Sequence, residues 1–445
     1  MSEPATDIDV LVVGAGPAGI AAAAELDASG LSVLWIDQRD RAGGAIHRQP
    51  AEPEAKPAMP PSVRAQWTRL DRRIAAMTTR LHGETSFVGL DGDGLAILED
   101  RRSATTRLVR PRAVIFAVGA VERVLPRPGW QLPGVWTAGG MQVLLKETGK
   151  PPAGRILVAG NGPLNIALAA QLAAAGNPPV ALLEAGDPTA HPLHGLALLA
   201  RPRLLVEAMH YLTRLVRARV AWRRRTRVLS IERIDGALRV ECAADNGRRM
   251  SFDADHVALH DGIRSNGFGL PAGGVEPFIV HAGDCREALG AVAAEADGSG
   301  SALEVIKQLG GGSQAKANHS AVAGERKAQA ALAQLFRPAD GSGLDHLPDE
   351  TVLCRCEGRT VGELRALLDA NPAISPREVK LNGRFAMGAC QGRFCADNTA
   401  AIIARAQGLP DAIPADALAG HRWPVRPVSI ASLLADHDPN PSTSD

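Results

Sequence analysis

The sequence predicts an α/β fold with two dinucleotide-binding units in one chain and a small cysteine-bearing module behind them. Three observations carry this prediction. A glycine-rich turn at Gly14–Gly19 lies between an apolar strand and an alanine-rich helix. A second such turn, at Gly160–Asn165, has the same setting. Two close cysteine pairs, Cys354/Cys356 and Cys390/Cys395, lie near the C-terminus.

The first unit is predicted from a strand over residues 8–13, a helix to about Asp27 and a second strand ending in Asp37. Between them lies Gly14-Ala15-Gly16-Pro17-Ala18-Gly19. In this setting the first glycine makes the tight turn, Gly16 lets backbone approach a pyrophosphate, and Gly19 lets helix and strand pack closely. Pro17 and Ala18 open a helix whose unpaired N–H groups favour phosphate. Asp37 stands where a carboxylate accepts hydrogen bonds from an adenosine ribose. Gly43 and Gly44 then bring a second glycine pair near the pyrophosphate. This combination resembles FAD-binding proteins of the two-dinucleotide-domain, glutathione-reductase-like class. Two distant segments fit the resemblance: a strand running into Gly119, and Gly283-Asp284 between a strand and a helix. In that class the aspartate contacts the flavin's ribityl chain, although Gly-Asp is also an ordinary turn and helix cap.

The second unit runs from strand 155–160 through the turn to a helix ending near Ala175 and a strand ending in Glu184. Asn165 occupies the third glycine position, which loosens helix–strand packing. NAD(P), ATP or no nucleotide at all are the readings left open here. The arginine-rich stretch 201–227 is either a surface for an anionic partner or membrane, or a solvated amphipathic helix. On the second reading Leu204, Leu205, Met209, Leu212 and Leu215 face a core.

The expected organisation is an FAD-binding domain over 7–150, with the second nucleotide fold inserted over 151–255. The chain returns to the FAD domain over 256–312. A linker (313–350), a [2Fe–2S]-binding domain (351–410) and a tail (411–445) follow. In the cysteine module Thr360 and Glu363 form a capping box ahead of a helix. Four thiolates from Cys354, Cys356, Cys390 and Cys395 match the needs of a [2Fe–2S] cluster, two per iron. Structural zinc is the alternative, although its pairs usually have two to four intervening residues and Cys354/Cys356 have one. Cys242 reads as core, and Cys285 as a thiol open to activation at a helix start.

Composition narrows the function. Net charge is +1 and aromatic residues are 3% of the chain, which argues against nucleic-acid binding. The first residues lack the layout of a secretory signal, and no apolar run approaches the ~20 residues of a membrane span. The expectation is a cytoplasmic protein without a transmembrane segment, with peripheral association at the inner membrane face left open. No catalytic nucleophile or acid–base pair independent of a flavin stands out.

Further motifs make the likeness more specific: RAGGAIHRQ, PGWQLPGVWTAGGMQ, AGDCREALGA, VLCRCEGRTVGEL, MGACQGRFC and the tail RWPVRPVSIASL. With them the chain resembles the flavoprotein alpha subunits of heteromeric amino-acid and opine dehydrogenases. The resemblance implies FAD and a [2Fe–2S] cluster in this chain, and a second FAD-containing beta subunit that oxidises the substrate. Electrons would pass to an acceptor such as a quinone or a ferredoxin-like protein. The segment from Gly267 to Gly274 is shorter than in that family. A self-sufficient NAD(P)H-dependent reductase and a zinc-stabilised assembly subunit are the rival readings.

Overall fold

Continuous apolar runs become parallel strands buried on both faces. In the computed structural model, which describes residues 6–51, 59–273, 276–312, 317–338, 343–344, 346–410, 413–420 and 423–434, strand Thr6–Val13 lies at the centre of the first sheet. Val33–Ile36 pairs parallel on one side and Thr105–Phe116 on the other. The antiparallel strands Ala96–Asp100 and Thr85–Leu90 extend this sheet, and the distant strand Phe278–His281 also pairs with Thr105–Phe116. The chain order therefore reverses beside Thr6–Val13, which places a ligand crevice at the carboxyl ends of these strands.

Helix Pro17–Ala28 covers one face of the sheet and lies against helix Ala291–Gln308. Small residues make the approach close. A Cβ on Gly298 would sit 2.2 Å from the Ala18 carbonyl oxygen. The core between helices and sheet contains Val10, Val12, Ile20, Leu26, Trp35 and Val305, each fully buried. At about 1.5–3 kcal/mol per large side chain, such residues supply most of the force holding the sheet to its helices.

The second sheet has five parallel strands, in the order Trp222–Arg224, Ala181–Glu184, Ile156–Gly160, His256–His260 and Val135–Thr137. A three-stranded antiparallel sheet, Thr226–Ile234 to Ala237–Ala244 to Arg249–Ala254, follows its edge. Cys242 is fully buried there, as expected, and burial pushes its thiol up to about 12. Helix His319–Leu335, within the stretch read as linker, adds Ala328, Ala331 and Leu335 to the second sheet's core. Residues 313–316, 339–342 and 345 of that stretch lie outside the described residues.

The cysteine module packs against the rest of the chain. Buried Trp130, from the PGWQLPGVW motif, donates its indole N–H to the Val352 carbonyl and lies beneath the Arg355 guanidinium. Phe268 enters the module's own core. Arg264 pairs with Asp397 at 2.7 Å, and Asn398 donates to the Val124 carbonyl. The tail then returns to the first sheet, where Val425 N–H donates to Val88 O and Trp423 lies over Gly89. Trp130→Ala empties the site of a side chain that is 1% exposed. It should lower stability by about 3–5 kcal/mol. Urea denaturation followed by circular dichroism measures this, and an unchanged midpoint would contradict the docking described here.

Candidate functional site

The fingerprint residues converge at the crevice. Gly14 has φ +113°, and a Cβ there would lie 2.4 Å from the Ala117 carbonyl oxygen. Gly19 is held more tightly still, since a Cβ on it would fall 1.9 Å from the Gly14 carbonyl oxygen. Gly16 differs, because a Cβ there would meet only the Gly44 Cα, at 3.9 Å. That open side is what a phosphate needs from the turn. Gly43 N–H donates to the Ala15 carbonyl and so draws the Gly43–Gly44 turn against the fingerprint. Gly283 follows strand Phe278–His281 at the same carboxyl end of the sheet and presses on Ala18. Gly119 follows the strand whose continuation at Ala117 abuts Gly14, and nothing occupies the space on its Cβ side within 4 Å.

Asp37 accepts hydrogen bonds from Ala15 N–H (2.6 Å) and Arg39 N–H (2.9 Å). Burial nonetheless raises its carboxyl above the usual range, with Arg48 and Arg39 opposing. Beside it opens a cavity of about 350 Å³ lined by Arg39, Arg41, Arg48, Arg101, Glu84 and Glu147 among others. Asp284 accepts from Leu289 N–H and Gly290 N–H, ahead of helix Ala291–Gln308. Of the turn-and-cap role foreseen for Gly-Asp, the turn is present; the helix starts at Gly290 without a side-chain cap, and Asp284 instead fixes the loop that leads into it. Cys285 corrects an expectation: it is 2% exposed, and burial pushes its thiol up to about 12, so it is not activated.

One buried group beside the crevice lies within the RAGGAIHRQ motif, although spacing alone assigned it no role. His47 bonds Gln66 across 3.3 Å, and burial lowers its pKa to about 4 against the raising effect of that bond. An unfolded imidazole titrates near 6.5, so between pH 6.5 and 4 the unfolded state binds more protons. Stability present above 6.5 is lost as pH falls through that window, by up to about 3 kcal/mol from this group. His47→Asn should flatten the acid limb of a plot of denaturation midpoint against pH. A limb as steep as in the parent would count against this assignment.

The second unit is closed by its own chain. Glu184 is fully buried and accepts from Gly162 N–H at 2.8 Å. Burial raises its carboxyl well above the usual range. Asn165, also fully buried, fills the third glycine position and donates to the His260 carbonyl. Gly186, just past the acid, bridges to Pro338, and the Phe336 carbonyl oxygen lies 2.5 Å from where a Gly186 Cβ would be. Segment Phe336–Pro338 thus packs on the loop that follows Glu184. No periodicity within the unit could have foretold a covering segment some 150 residues away.

The four cysteines meet in one corner of the C-terminal module. Cys354 ends strand Val352–Cys354 and Cys395 caps helix Ala396–Ala406; each is 1% exposed. Cys390 is half-buried and Cys356 exposed. The four thiols are near enough to shift one another's titration, Cys354 and Cys390 each most strongly through Cys395. Among the described residues no three His, Cys, Asp or Glu side chains are grouped as ligands of one ion. The bond from Cys395 holds the Cys354 thiol below the ordinary range, helped by backbone N–H groups of Glu357 and Ala386. Cys390 is lowered in the same way, by Cys395 and then by the N–H groups of Phe394 and Gly392. Arg384, Ala386 and Gln391 all have φ between +53° and +63°. Non-glycine residues accept that strain, ~1–3 kcal/mol each, where surroundings enforce it. Of the three, Ala386 turns its N–H toward the Cys354 sulfur, whereas Gln391 N–H donates to the Gly388 carbonyl. Gly388 leaves room, since a Cβ would strike the Cys356 Cβ at 2.2 Å. The predicted Thr360–Glu363 capping box is present; a second, Ser375–Glu378, was missed.

A profile of the family described as pyridine nucleotide-disulphide oxidoreductase matches residues 8–283. The chain belongs to that family. It is accordingly a flavin-dependent oxidoreductase. The opine oxidase A subunit of Rhizobium meliloti (strain 1021) is 32% identical over 96% of this chain and 98% of its own. Its counterpart in Agrobacterium tumefaciens (strain Ach5), also an opine oxidase A subunit, is 31% identical over 96% and 92%. Hydrogen cyanide synthase subunit HcnB of Pseudomonas protegens is 28% identical over 91% and 93%. These relatives are subunits of multi-subunit enzymes. The crystal structure of L-proline dehydrogenase from P. horikoshii shares the fold, with a TM-score of 0.61, 19% identity and coverage of 97% of this chain and 80% of that one. Among the described residues no helix is long and apolar enough to cross a membrane.

Proposed function

We propose that this family member is the FAD- and [2Fe–2S]-containing subunit of a heteromeric dehydrogenase acting on an amino acid, imino acid or opine. A partner flavoprotein subunit removes electrons from the substrate, and this chain passes them to an acceptor such as a quinone. The observation that carries the reading is the cysteine corner: four thiols near one another, with backbone N–H groups beside them, docked on the domain with an open dinucleotide turn. The single residue between Cys354 and Cys356 is shorter than the usual zinc pair spacing, which favours two irons sharing four thiolates over one zinc. When bound, flavin exchanges electrons in pairs and the cluster one at a time.

In this reading Gly14, Gly16, Pro17, Ala18 and Gly19 cradle the pyrophosphate, with Gly43 and Gly44 closing the far side. Asp37 takes the adenosine ribose, and Gly119, Gly283 and Asp284 form the wall nearer the ring. Cys354, Cys356, Cys390 and Cys395 hold the irons, while Trp130 and Phe268 fix the module against the rest of the chain and keep water from its inner side. The second fold serves as scaffold, since its acid end is covered by Phe336 to Pro338.

The test is a pair of anaerobic titrations followed at the flavin absorption band. NADH or NADPH added to the purified chain should leave the flavin oxidised. A complex with the proposed partner flavoprotein subunit, given its amino-acid substrate, should bleach it. Bleaching by NAD(P)H alone would instead favour a self-sufficient reductase and an open second fold.

A further inference from the structure

The stretch around helix Pro202–Arg217 is unlike the rest of the surface. Residues 191–227 contain nine arginines and a single acidic residue, Glu207. The helix has two apolar sides. Leu204, Leu212 and Leu215 pack on the second sheet's core, whereas Val206, Met209 and Val216 are 58%, 63% and 77% exposed. These last three fall on one stripe of a 3.6-residue helix. Met209 therefore does not face the core as the periodicity suggested. Immediately before the helix, the short turns Pro192–Leu196 and Ala197–Ala200 expose Leu193, Leu196 and Leu199 at 78%, 59% and 62%. Arg217, Arg219 and Arg223 are exposed and have no acidic partner among the described residues.

We propose that this face rests on an anionic lipid bilayer, with the leucine turns and the Val206–Met209–Val216 stripe at the acyl boundary and the arginines among the phosphates. A polynucleotide would engage the arginines but leave six large apolar side chains in water. A protein partner would have to neutralise each arginine it buried. A bilayer interface accepts both, because long arginine side chains keep their heads at the phosphate level while apolar groups enter beneath. The inference does not rest on the electron-relay reading and can fail without it.

The experiment is co-sedimentation of the full purified chain with vesicles of phosphatidylcholine alone or with about a third phosphatidylglycerol, the anionic lipid chosen for its surface charge. The chain should bind the anionic vesicles at least about tenfold better than the neutral ones, and high salt should weaken binding. Leu196→Asp with Met209→Asp should reduce binding by about tenfold, with flavin absorption and circular dichroism unchanged. Arg217→Ser with Arg223→Ser should remove the preference for anionic lipid. Equal binding to both vesicles, or binding indifferent to both variant pairs, overturns the proposal. So does protection of residues 192–217 from hydrogen exchange in the lipid-free heteromer, which would make this face a protein interface.

Discussion

Cys356→Ser will abolish the rhombic low-temperature EPR signal of the reduced protein while leaving about one equivalent of FAD bound, as expected when one of four thiolates of a [2Fe–2S] site is lost. Of the four cysteines this one is exposed, so the substitution removes a ligand without opening the module's core. Cys354 and Cys395 are buried and share that core with Phe385 and Ile403. Serine there would combine loss of a ligand with loss of packing. The FAD cradle shares no residue with the cysteine loop. The two are nevertheless tied through the tail: Gln391 donates to the Pro424 carbonyl, and Val425 is anchored on Val88 of the first sheet. A modest change in flavin affinity is compatible with this tie. Complete loss of FAD would mean that the two sites form one structural unit.

Gly19→Ala will reduce bound FAD to below about a tenth of the parent and lower the denaturation midpoint, because overpacking of this kind typically costs 1–3 kcal/mol or more. The alanine Cβ would lie 1.9 Å from the Gly14 carbonyl oxygen and 2.8 Å from its carbon. No rotamer change can relieve a clash with backbone, so helix Pro17–Ala28 must leave its strand. Gly16→Ala provides the contrast. Its Cβ has open space, so the apoprotein should keep its denaturation midpoint and lose FAD alone, by a steric encounter with the pyrophosphate. Flavin content after gel filtration and thermal denaturation of the stripped protein separate the two cases. A Gly16→Ala protein that retains full FAD would remove the pyrophosphate from this turn.

These contrasts also show what a sequence can carry. The Gly14–Gly19 turn, the strand ending before Asp37 and the paired cysteines were legible because each depends on neighbours within a few dozen residues. Chain chemistry at that range fixes turns, caps and strand pairing almost by itself. The cover over Glu184 was not legible, because Phe336 and Pro338 reach Gly186 from beyond the first sheet's return strand. Trp130 stands out as part of a motif, but its bond to Val352 joins residues 222 positions apart. Met209 shows a third kind of limit. Helical spacing marks apolar stripes, yet cannot say which of two stripes meets the core when both are apolar.

The electron-relay role is tested most directly by reducing the purified chain with dithionite and recording its EPR spectrum at low temperature, beside flavin and metal analysis of the same sample. The expected result is a rhombic signal with about two irons and one FAD per chain, as a [2Fe–2S] flavoprotein requires. Stoichiometric zinc with no EPR signal after reduction would contradict it.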